Sequence, residues 1–280
     1  MDQGEILVST SWLADHLDAP DVRILDASWH LQDANRDARK EYDRLHIPGA
    51  IFFDLAEIRD ETSPYPMMLP SPEKFASRVR KLGLGDGNRI VIYDHADTKS
   101  AARAWWMFRV FGASDVAVLD GGFAKWMAEG RPTDDMSPIQ RERHFTPRFD
   151  RTMVRTCAQV DTERQKPDAQ IVDARAPARF LGTMPEPRPD VRPGHIPGAI
   201  NLPYTHLFNE NGTYLDRNGL RSIFETAGIE LSKPIITTCG SGVTAAVLAF
   251  ALAQLGHRQT ALYDGSWAEW GHREDLEVET

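Results

Sequence analysis

One stretch decides how this chain folds: Ile235-Ile236-Thr237-Thr238-Cys239-Gly240-Ser241-Gly242-Val243-Thr244-Ala245-Ala246. It opens with apolar, β-branched residues that suit a buried strand, and it runs into apolar helix formers from Val243 to Leu255. Cys239 therefore lies at a strand-to-helix turn, where the first N–H groups of the helix carry partial positive charge and favour a thiolate. Gly240 and Gly242 let the backbone curl around one anionic centre. The turn predicts a nucleophilic cysteine, and the alternative is a small buried thiol with a packing role.

The chain contains the same series of segments twice. The first copy reads Ile24-Leu25-Asp26-Ala27-Ser28, His46-Ile47-Pro48-Gly49-Ala50-Ile51 and Asp120-Gly121-Gly122-Phe123-Ala124-Lys125-Trp126. The second copy reads Ile171-Val172-Asp173-Ala174-Arg175, His195-Ile196-Pro197-Gly198-Ala199-Ile200 and Asp264-Gly265-Ser266-Trp267-Ala268-Glu269-Trp270. Asp120 and Asp264 are 144 positions apart, and at the same offset Cys239 matches His95. A repeat of this length indicates a duplicated domain rather than a solenoid.

Strands alternate with helices in both copies, which predicts an α/β fold. We expect two tandem domains, each a mostly parallel sheet with helices on both faces. The predicted domains are residues 1–130 and 154–280, joined by a linker at 131–153 that is rich in proline and charge. Ligands of such sheets bind beyond the carboxyl ends of the strands, and Cys239 lies at such an end.

Composition narrows the class of protein. The chain has 280 residues and a net charge of −9, which argues against a nucleic-acid partner. It has no apolar run of transmembrane length, and its first residues lack the pattern of a signal peptide, so we expect no membrane partner and a cytoplasmic location. Two cysteines give no disulfide framework, and no His/Cys cluster has zinc spacing. We therefore predict no metal, and the chemistry implied by the family resemblance given below needs no cofactor.

The Cys239 loop and the internal repeat resemble the two-domain rhodanese superfamily, and Cys-Gly-Ser-Gly-Val-Thr-Ala looks most like the loop of its 3-mercaptopyruvate sulfurtransferases. The resemblance implies that sulfur passes from 3-mercaptopyruvate through a Cys239 persulfide to a thiol, cyanide or thioredoxin, with release of pyruvate. It implies a catalytic role for Ser241 and carboxylate binding by Arg179 and Arg188. It also implies a persulfide-binding loop formed by Gly240, Ser241, Gly242, Val243 and Thr244.

Several alternatives compete with this interpretation. A thiosulfate sulfurtransferase of the same family would usually carry basic residues after the cysteine, where this chain has Gly240 and Ser241. A phosphatase of the same fold would need an arginine six residues after the cysteine, and position 245 is alanine. A binding module without catalysis would be expected to lack Cys239.

Other polar residues are expected to have structural roles. Asp26 with Asp173, and His46 with His195, occur in both copies, although one copy alone has the Cys239 loop, so we interpret them as loop anchors. Cys157 has no glycine loop and is expected to be structural. Because His95 matches Cys239, we expect the first copy to be catalytically silent. One departure from the family is Met67, which stands where a histidine is common, so a mechanism assisted by that histidine is in doubt.

Overall fold

A computed structural model describes residues 5–166 and 168–280 of the chain. The described residues form two compact units. The first comprises residues 5–60, 69–150 and 208–214, and the second comprises residues 61–68, 151–166, 168–207 and 215–280.

The first unit contains a five-stranded parallel sheet in the order β1-β5-β4-β2-β3. Its elements are β1 (Leu7–Val8), α1 (Thr10–Asp15), β2 (Val22–Asp26), α2 (Ala38–Arg44), β3 (Ile51–Phe52), α3 (Pro72–Lys81), β4 (Arg89–Tyr93), α4 (Ala101–Val110), β5 (Val116–Leu119) and α5 (Gly122–Ala128).

The second unit repeats this sheet in the order β6-β10-β9-β7-β8, again with parallel pairing throughout. Its elements are β6 (Val154–Arg155), α6 (Cys157–Arg164), β7 (Gln170–Asp173), α7 (Pro177–Phe180), β8 (Ile200–Asn201), α8 (Arg217–Thr226), β9 (Ile235–Thr238), α9 (Ala245–Gln254), β10 (Thr260–Tyr263) and α10 (Ser266–Trp270).

The central strands of each sheet are buried on both faces, which explains their continuous apolar sequence. In β4, Val91 and Tyr93 belong to a core that includes Trp126 of α5. Ile90 and Ile92 are one residue out of phase, so they point to the opposite face, where α4 packs on β4. Helices therefore cover both faces, and the predicted α/β class with two tandem parallel sheets is confirmed.

The segment predicted to be a linker has little regular structure. Residues 131–150 belong to the first unit, and within them Asp134 forms an isolated antiparallel bridge with His46. A 3-10 turn, Arg151–Met153, then leads into β6. The domain boundaries at 130 and 153 stay a prediction. No helix within residues 5–166 and 168–280 is long and apolar enough to span a bilayer.

Candidate active site

Cys239 lies at the carboxyl end of β9, a strand flanked by β10 and β7. Its side chain is buried, with 2% of the residue exposed. The loop from Cys239 returns to begin α9 at Ala245, and Gly242 adopts a φ of +80° that favours glycine. As a result the N–H of Gly242 donates to Cys239 Sγ at 3.2 Å. The turn therefore directs a backbone donor at the sulfur atom.

The junction between β10 and α10 is hydrogen-bonded to the backbone of the Cys239 loop. The N–H of Cys239 donates to Ser266 Oγ at 3.3 Å, and that hydroxyl donates to the carbonyl of Tyr263 at 2.8 Å. In the other direction, the N–H groups of Trp267 and Ala268 donate to the carbonyls of Cys239 and Gly240 at 2.9 and 3.0 Å. These bonds fix the backbone on both sides of the sulfur.

The other residues of the predicted persulfide loop lie where the sequence suggested. Val243 is buried, and Thr244 directly precedes α9. Ser241 is largely buried, and its hydroxyl makes no hydrogen bond within the described part of the chain. A donor with no protein partner beside Cys239 is available to a bound molecule.

Arg179 and Arg188, the two predicted carboxylate ligands, lie near this loop. Arg179 donates through Nε and Nη2 to the carboxylate of Glu186, at 3.2 and 2.5 Å. A Cβ atom added to Gly240 would lie 3.1 Å from Arg179 Nη2, so the guanidinium packs directly on the loop.

Arg188 is half-buried and forms no ion pair with any residue in 5–166 or 168–280. Burial lowers the pKa of Arg188, and the like charge of Arg179 lowers it further, whereas the charges of Glu186 and Cys239 oppose the shift. An anion bound beside Arg188 would relieve this unfavourable environment.

Sequence reasoning missed a buried ion network behind these arginines. Arg175 donates to Asp173 at 2.7 Å and to Glu186 at 3.0 Å, and its guanidinium carbon lies 4.5 Å from the ring centre of Trp267. It also donates to the carbonyl of Gly194 at 2.8 Å. The repeat held a signal for this network, because Arg175 replaces Ser28 at the matched position of the first copy.

The residue of the first unit that matches Cys239 is Asp94, so the expectation for His95 is wrong by one position. The N–H of Ala27 bonds the carbonyl of Tyr93, just as the N–H of Ala174 bonds that of Thr238. Tyr93 and Thr238 are therefore equivalent, and Asp94 and Cys239 follow them. A uniform offset fails here because the loop before α4 is one residue longer than the loop before α9.

Asp94 uses its own carboxylate to satisfy the loop of the first unit. Its two oxygens accept the N–H groups of Ala96 at 3.3 Å and Ala101 at 2.7 Å. A carboxylate thus takes the position of the thiol in the first unit, and a carboxylate does not form a persulfide.

The remaining polar candidates have the structural contacts expected of loop anchors. Asp26 accepts the N–H of Ser28, and Asp173 accepts that of Arg175. The Nδ1 atoms of His46 and His195 lie 2.7 and 2.8 Å from backbone carbonyl oxygens, an arrangement that suits the tautomer protonated at Nδ1.

Two further residues are buried in the second unit. Cys157 lies 3.6 Å from Nη1 of Arg273, and burial raises the pKa of its thiol. Met67 is buried with a φ of +59°. Among residues 5–166 and 168–280 no group of His, Cys, Asp or Glu side chains is arranged to hold a metal ion.

A family model described as a rhodanese-like domain matches residues 9–129 and again residues 156–273. The chain therefore belongs to the rhodanese family. It is 42% identical over 270 residues to the 3-mercaptopyruvate sulfurtransferase of Homo sapiens, which covers 94% of this chain and 91% of that protein. It is 44% identical over 273 residues to the 3-mercaptopyruvate sulfurtransferase of Escherichia coli K12, covering 97% of each.

A second activity occurs among equally similar relatives. The thiosulfate sulfurtransferase of Bos taurus is 44% identical over 274 residues, with 95% of this chain and 92% of that protein covered. The crystal structure of SseA from Escherichia coli, a 3-mercaptopyruvate sulfotransferase, superposes with a TM-score of 0.87 at 41% identity, over 94% of this chain and 99% of that one. The chain is an enzyme of the sulfurtransferase class.

Proposed function

We propose that this enzyme transfers sulfur from 3-mercaptopyruvate to a thiol or cyanide by way of a persulfide on Cys239. The observation that carries the proposal is the N–H of Gly242 donating to Cys239 Sγ, beside a half-buried Arg188 that lacks an ion pair in the described chain. Overall identity does not choose the donor, because relatives of both activities match this chain equally well.

The first half-reaction forms the persulfide. The Cys239 thiolate attacks the sulfur of 3-mercaptopyruvate, and the carbon–sulfur bond breaks with its electron pair remaining on carbon. The resulting enolate of pyruvate takes up one proton, and Cys239 now carries the transferred sulfur. The Ser241 hydroxyl stabilises the developing enolate oxygen, while Arg179 and Arg188 bind the carboxylate.

The second half-reaction regenerates the thiolate. An acceptor thiolate, cyanide or reduced thioredoxin attacks the outer sulfur of the persulfide and removes it. Dividing the transfer into two displacements replaces one difficult step by two easier ones. No redox cofactor enters this balance, because the electrons remain with the transferred sulfur and its bonding partners.

Intact-protein mass spectrometry together with a pyruvate assay tests this proposal. Mixing the wild-type enzyme with 3-mercaptopyruvate in the absence of acceptor should add one sulfur atom to the protein and release one pyruvate per site. Addition of cyanide or a thiol should then remove the mass. Pyruvate release without any gain in mass would contradict the persulfide.

Thiosulfate is the second candidate donor, favoured by the equal similarity to the thiosulfate sulfurtransferase of Bos taurus. Thiosulfate is a dianion and favours basic residues near the nucleophile, which Gly240 and Ser241 do not supply. We therefore expect kcat/KM to be higher for 3-mercaptopyruvate. If the wild type instead has the higher kcat/KM with thiosulfate, thiosulfate is the preferred donor and 3-mercaptopyruvate becomes the second candidate.

A further inference from the structure

The positive and negative charges of the side chains around the Cys239 loop almost cancel. Three cations, Arg175, Arg179 and Arg188, lie with two anions, Asp173 and Glu186. Apart from the thiol, this set has one net positive charge. Its central members are shielded from solvent, because the side chains of Arg175 and Glu186 are only 1% and 2% exposed. Charges buried to this extent are screened little by salt, so the balance acts on any anion that binds.

Glu186 is the member that sets this balance. It accepts a hydrogen bond from Arg175 and two from Arg179, so one carboxylate joins the two guanidinium groups. Within the described part of the chain, the Asp173 carboxylate bonds only Arg175. Glu186 thereby neutralises one positive charge next to the loop and fixes the plane of the Arg179 guanidinium.

The first unit contains a similar clamp, meaning an arginine held by two hydrogen bonds to one glutamate, and there the arginine also bonds a loop carbonyl. Glu41 binds Arg36 through two bonds of 2.7 Å, and Arg36 Nη2 also donates to the carbonyl of His95 at 2.9 Å. His95 follows Asp94 as Gly240 follows Cys239. In the second unit Arg179 Nη1 donates to no residue of the described chain, and it remains available beside the nucleophile.

Resting on the function proposed above, we propose that Glu186 is a specificity-determining residue. Its carboxylate holds Arg179 for a planar carboxylate and limits the site to one net positive charge. A monoanionic α-keto acid matches that charge, whereas a dianionic sulfur donor such as thiosulfate leaves one negative charge uncompensated. Glu186 therefore selects donors by total charge as well as by shape.

The test is Glu186→Gln, which keeps the size of the side chain and removes its charge. We expect kcat/KM for 3-mercaptopyruvate to fall about 10-fold, mainly through KM, because Arg179 loses its charged partner. We expect kcat/KM for thiosulfate to rise roughly 3-fold or more, because the site gains net positive charge. A purely structural role would lower both values together.

Two controls separate charge from folding. Glu41→Gln makes the same change in the clamp of the first unit and should leave the ratio of the two kcat/KM values unchanged. Glu186→Asp keeps the charge but shortens the reach, so it should lose activity with 3-mercaptopyruvate without gaining it with thiosulfate. This second variant also provides the measurement if the glutamine variant does not fold.

The outcomes distinguish this inference from the proposed function. A wild-type enzyme that releases no pyruvate from 3-mercaptopyruvate overturns the function and, with it, the inference. A wild-type enzyme that prefers 3-mercaptopyruvate, combined with Glu186→Gln losses of equal size for both donors, overturns the inference alone. A shift in the donor ratio caused by Glu41→Gln would also overturn it.

Discussion

Two thiols of the second unit differ because of their immediate neighbours. Cys239 receives a backbone N–H at its sulfur, whereas Cys157 opens α6 in an apolar core. Burial raises the pKa of the Cys157 thiol, so Cys157 remains protonated and poorly nucleophilic near neutral pH. We expect these contacts, and not exposure, to set the reactivity of each thiol, since both residues are buried.

Replacing each cysteine by serine tests this difference. Cys239→Ser should abolish sulfur transfer, because a hydroxyl does not form a persulfide. Cys157→Ser should retain most of the activity. Turnover and intact mass after mixing with 3-mercaptopyruvate are the measurements. A folded but inactive Cys157→Ser protein beside an active Cys239→Ser protein would reverse the assignment.

Arg188 provides a test of carboxylate binding. Arg188→Ala should lower kcat/KM for 3-mercaptopyruvate roughly 10- to 150-fold, the effect of losing a charge-assisted hydrogen bond. Arg188→Lys should restore part of this, because lysine keeps the charge but lacks the planar fork. The loss should be much smaller with thiosulfate, which has no carboxylate.

An exposed arginine of the same unit supplies the matched control for Arg188. Arg258→Ala should change kcat/KM little for either donor, since this side chain lies at the surface. Equal losses for both donors in Arg188→Ala would mean that Arg188 attracts anions in general, and carboxylate recognition would lose its support.

At the scale of elements, the loops before α4 and α9 solve the same problem differently. Each loop ends a buried strand and presents N–H groups that need an acceptor. Asp94 supplies that acceptor in the first unit, whereas Cys239 Sγ accepts the N–H of Gly242 in the second. The first loop thus satisfies its N–H groups with its own carboxylate. The second loop has a thiol at that position, which reacts in the function proposed above.

Removing the Asp94 carboxylate should therefore affect stability and not catalysis. Asp94→Ala leaves two buried N–H groups without acceptors, which should lower the free energy of unfolding by about 1–3 kcal/mol. Turnover with either donor should stay within a few fold of wild type, and the same holds for His95→Ala. Urea unfolding and steady-state kinetics are the measurements.

The exposed Asp43 is a suitable control for Asp94, because its pair with Arg39 lies at the surface. Asp43→Ala should change stability by less than about 1 kcal/mol. A folded Asp94→Ala or His95→Ala protein that loses turnover by orders of magnitude would show that the first unit takes part in catalysis.

At the scale of the whole molecule, duplication placed the same residues in different environments. Asp26 and Asp173 both end a strand and accept a loop N–H, but among residues 5–166 and 168–280 only Asp173 has an arginine partner. Burial raises the pKa of Asp26 to about 6, and its hydrogen bonds with Ser28 and Tyr93 offset only part of that shift. Identical side chains at matched positions should therefore respond oppositely to substitution.

Asp26→Asn and Asp173→Asn test this difference through the pH dependence of stability. The pKa of Asp26 in the folded chain is about 6, above its ordinary value of 3.8, so the folded chain binds the extra proton between those pH values. The free energy of unfolding of the wild type should then fall as pH rises through this window, by at most about 3 kcal/mol. Asp26→Asn should remove that loss.

The two variants are compared with wild type by urea unfolding near pH 4 and near pH 7.5. Asp26→Asn should be more stable than wild type at the higher pH, and the difference should vanish at the lower one. Asp173→Asn should be destabilised by about 3–5 kcal/mol at neutral pH, because it leaves the buried Arg175 cation without its main partner. An Asp26→Asn variant that is less stable than wild type near pH 7.5 would contradict the raised pKa of Asp26.

The sequence by itself determined the duplicated α/β fold and the place of Cys239 at a strand-to-helix turn. Both follow from interactions that are local in the chain: β-branched runs form strands, and a cysteine at the turn between a strand and a helix receives a backbone N–H of that turn. The loop sequence, with glycine on both sides of Ser241, also indicated a turn that needs a positive φ, which Gly242 adopts.

Tertiary structure alone decided the match between the two copies at the site and the network behind it. A loop one residue longer in the first unit shifts the register, so Asp94 and not His95 takes the place of Cys239, and no uniform offset reveals an insertion inside a loop. The bonds of Glu186 with Arg175 and Arg179 depend on how the strand end, α7 and the following loop pack together. Packing between separate segments sets such contacts, and residue spacing along the chain does not encode them.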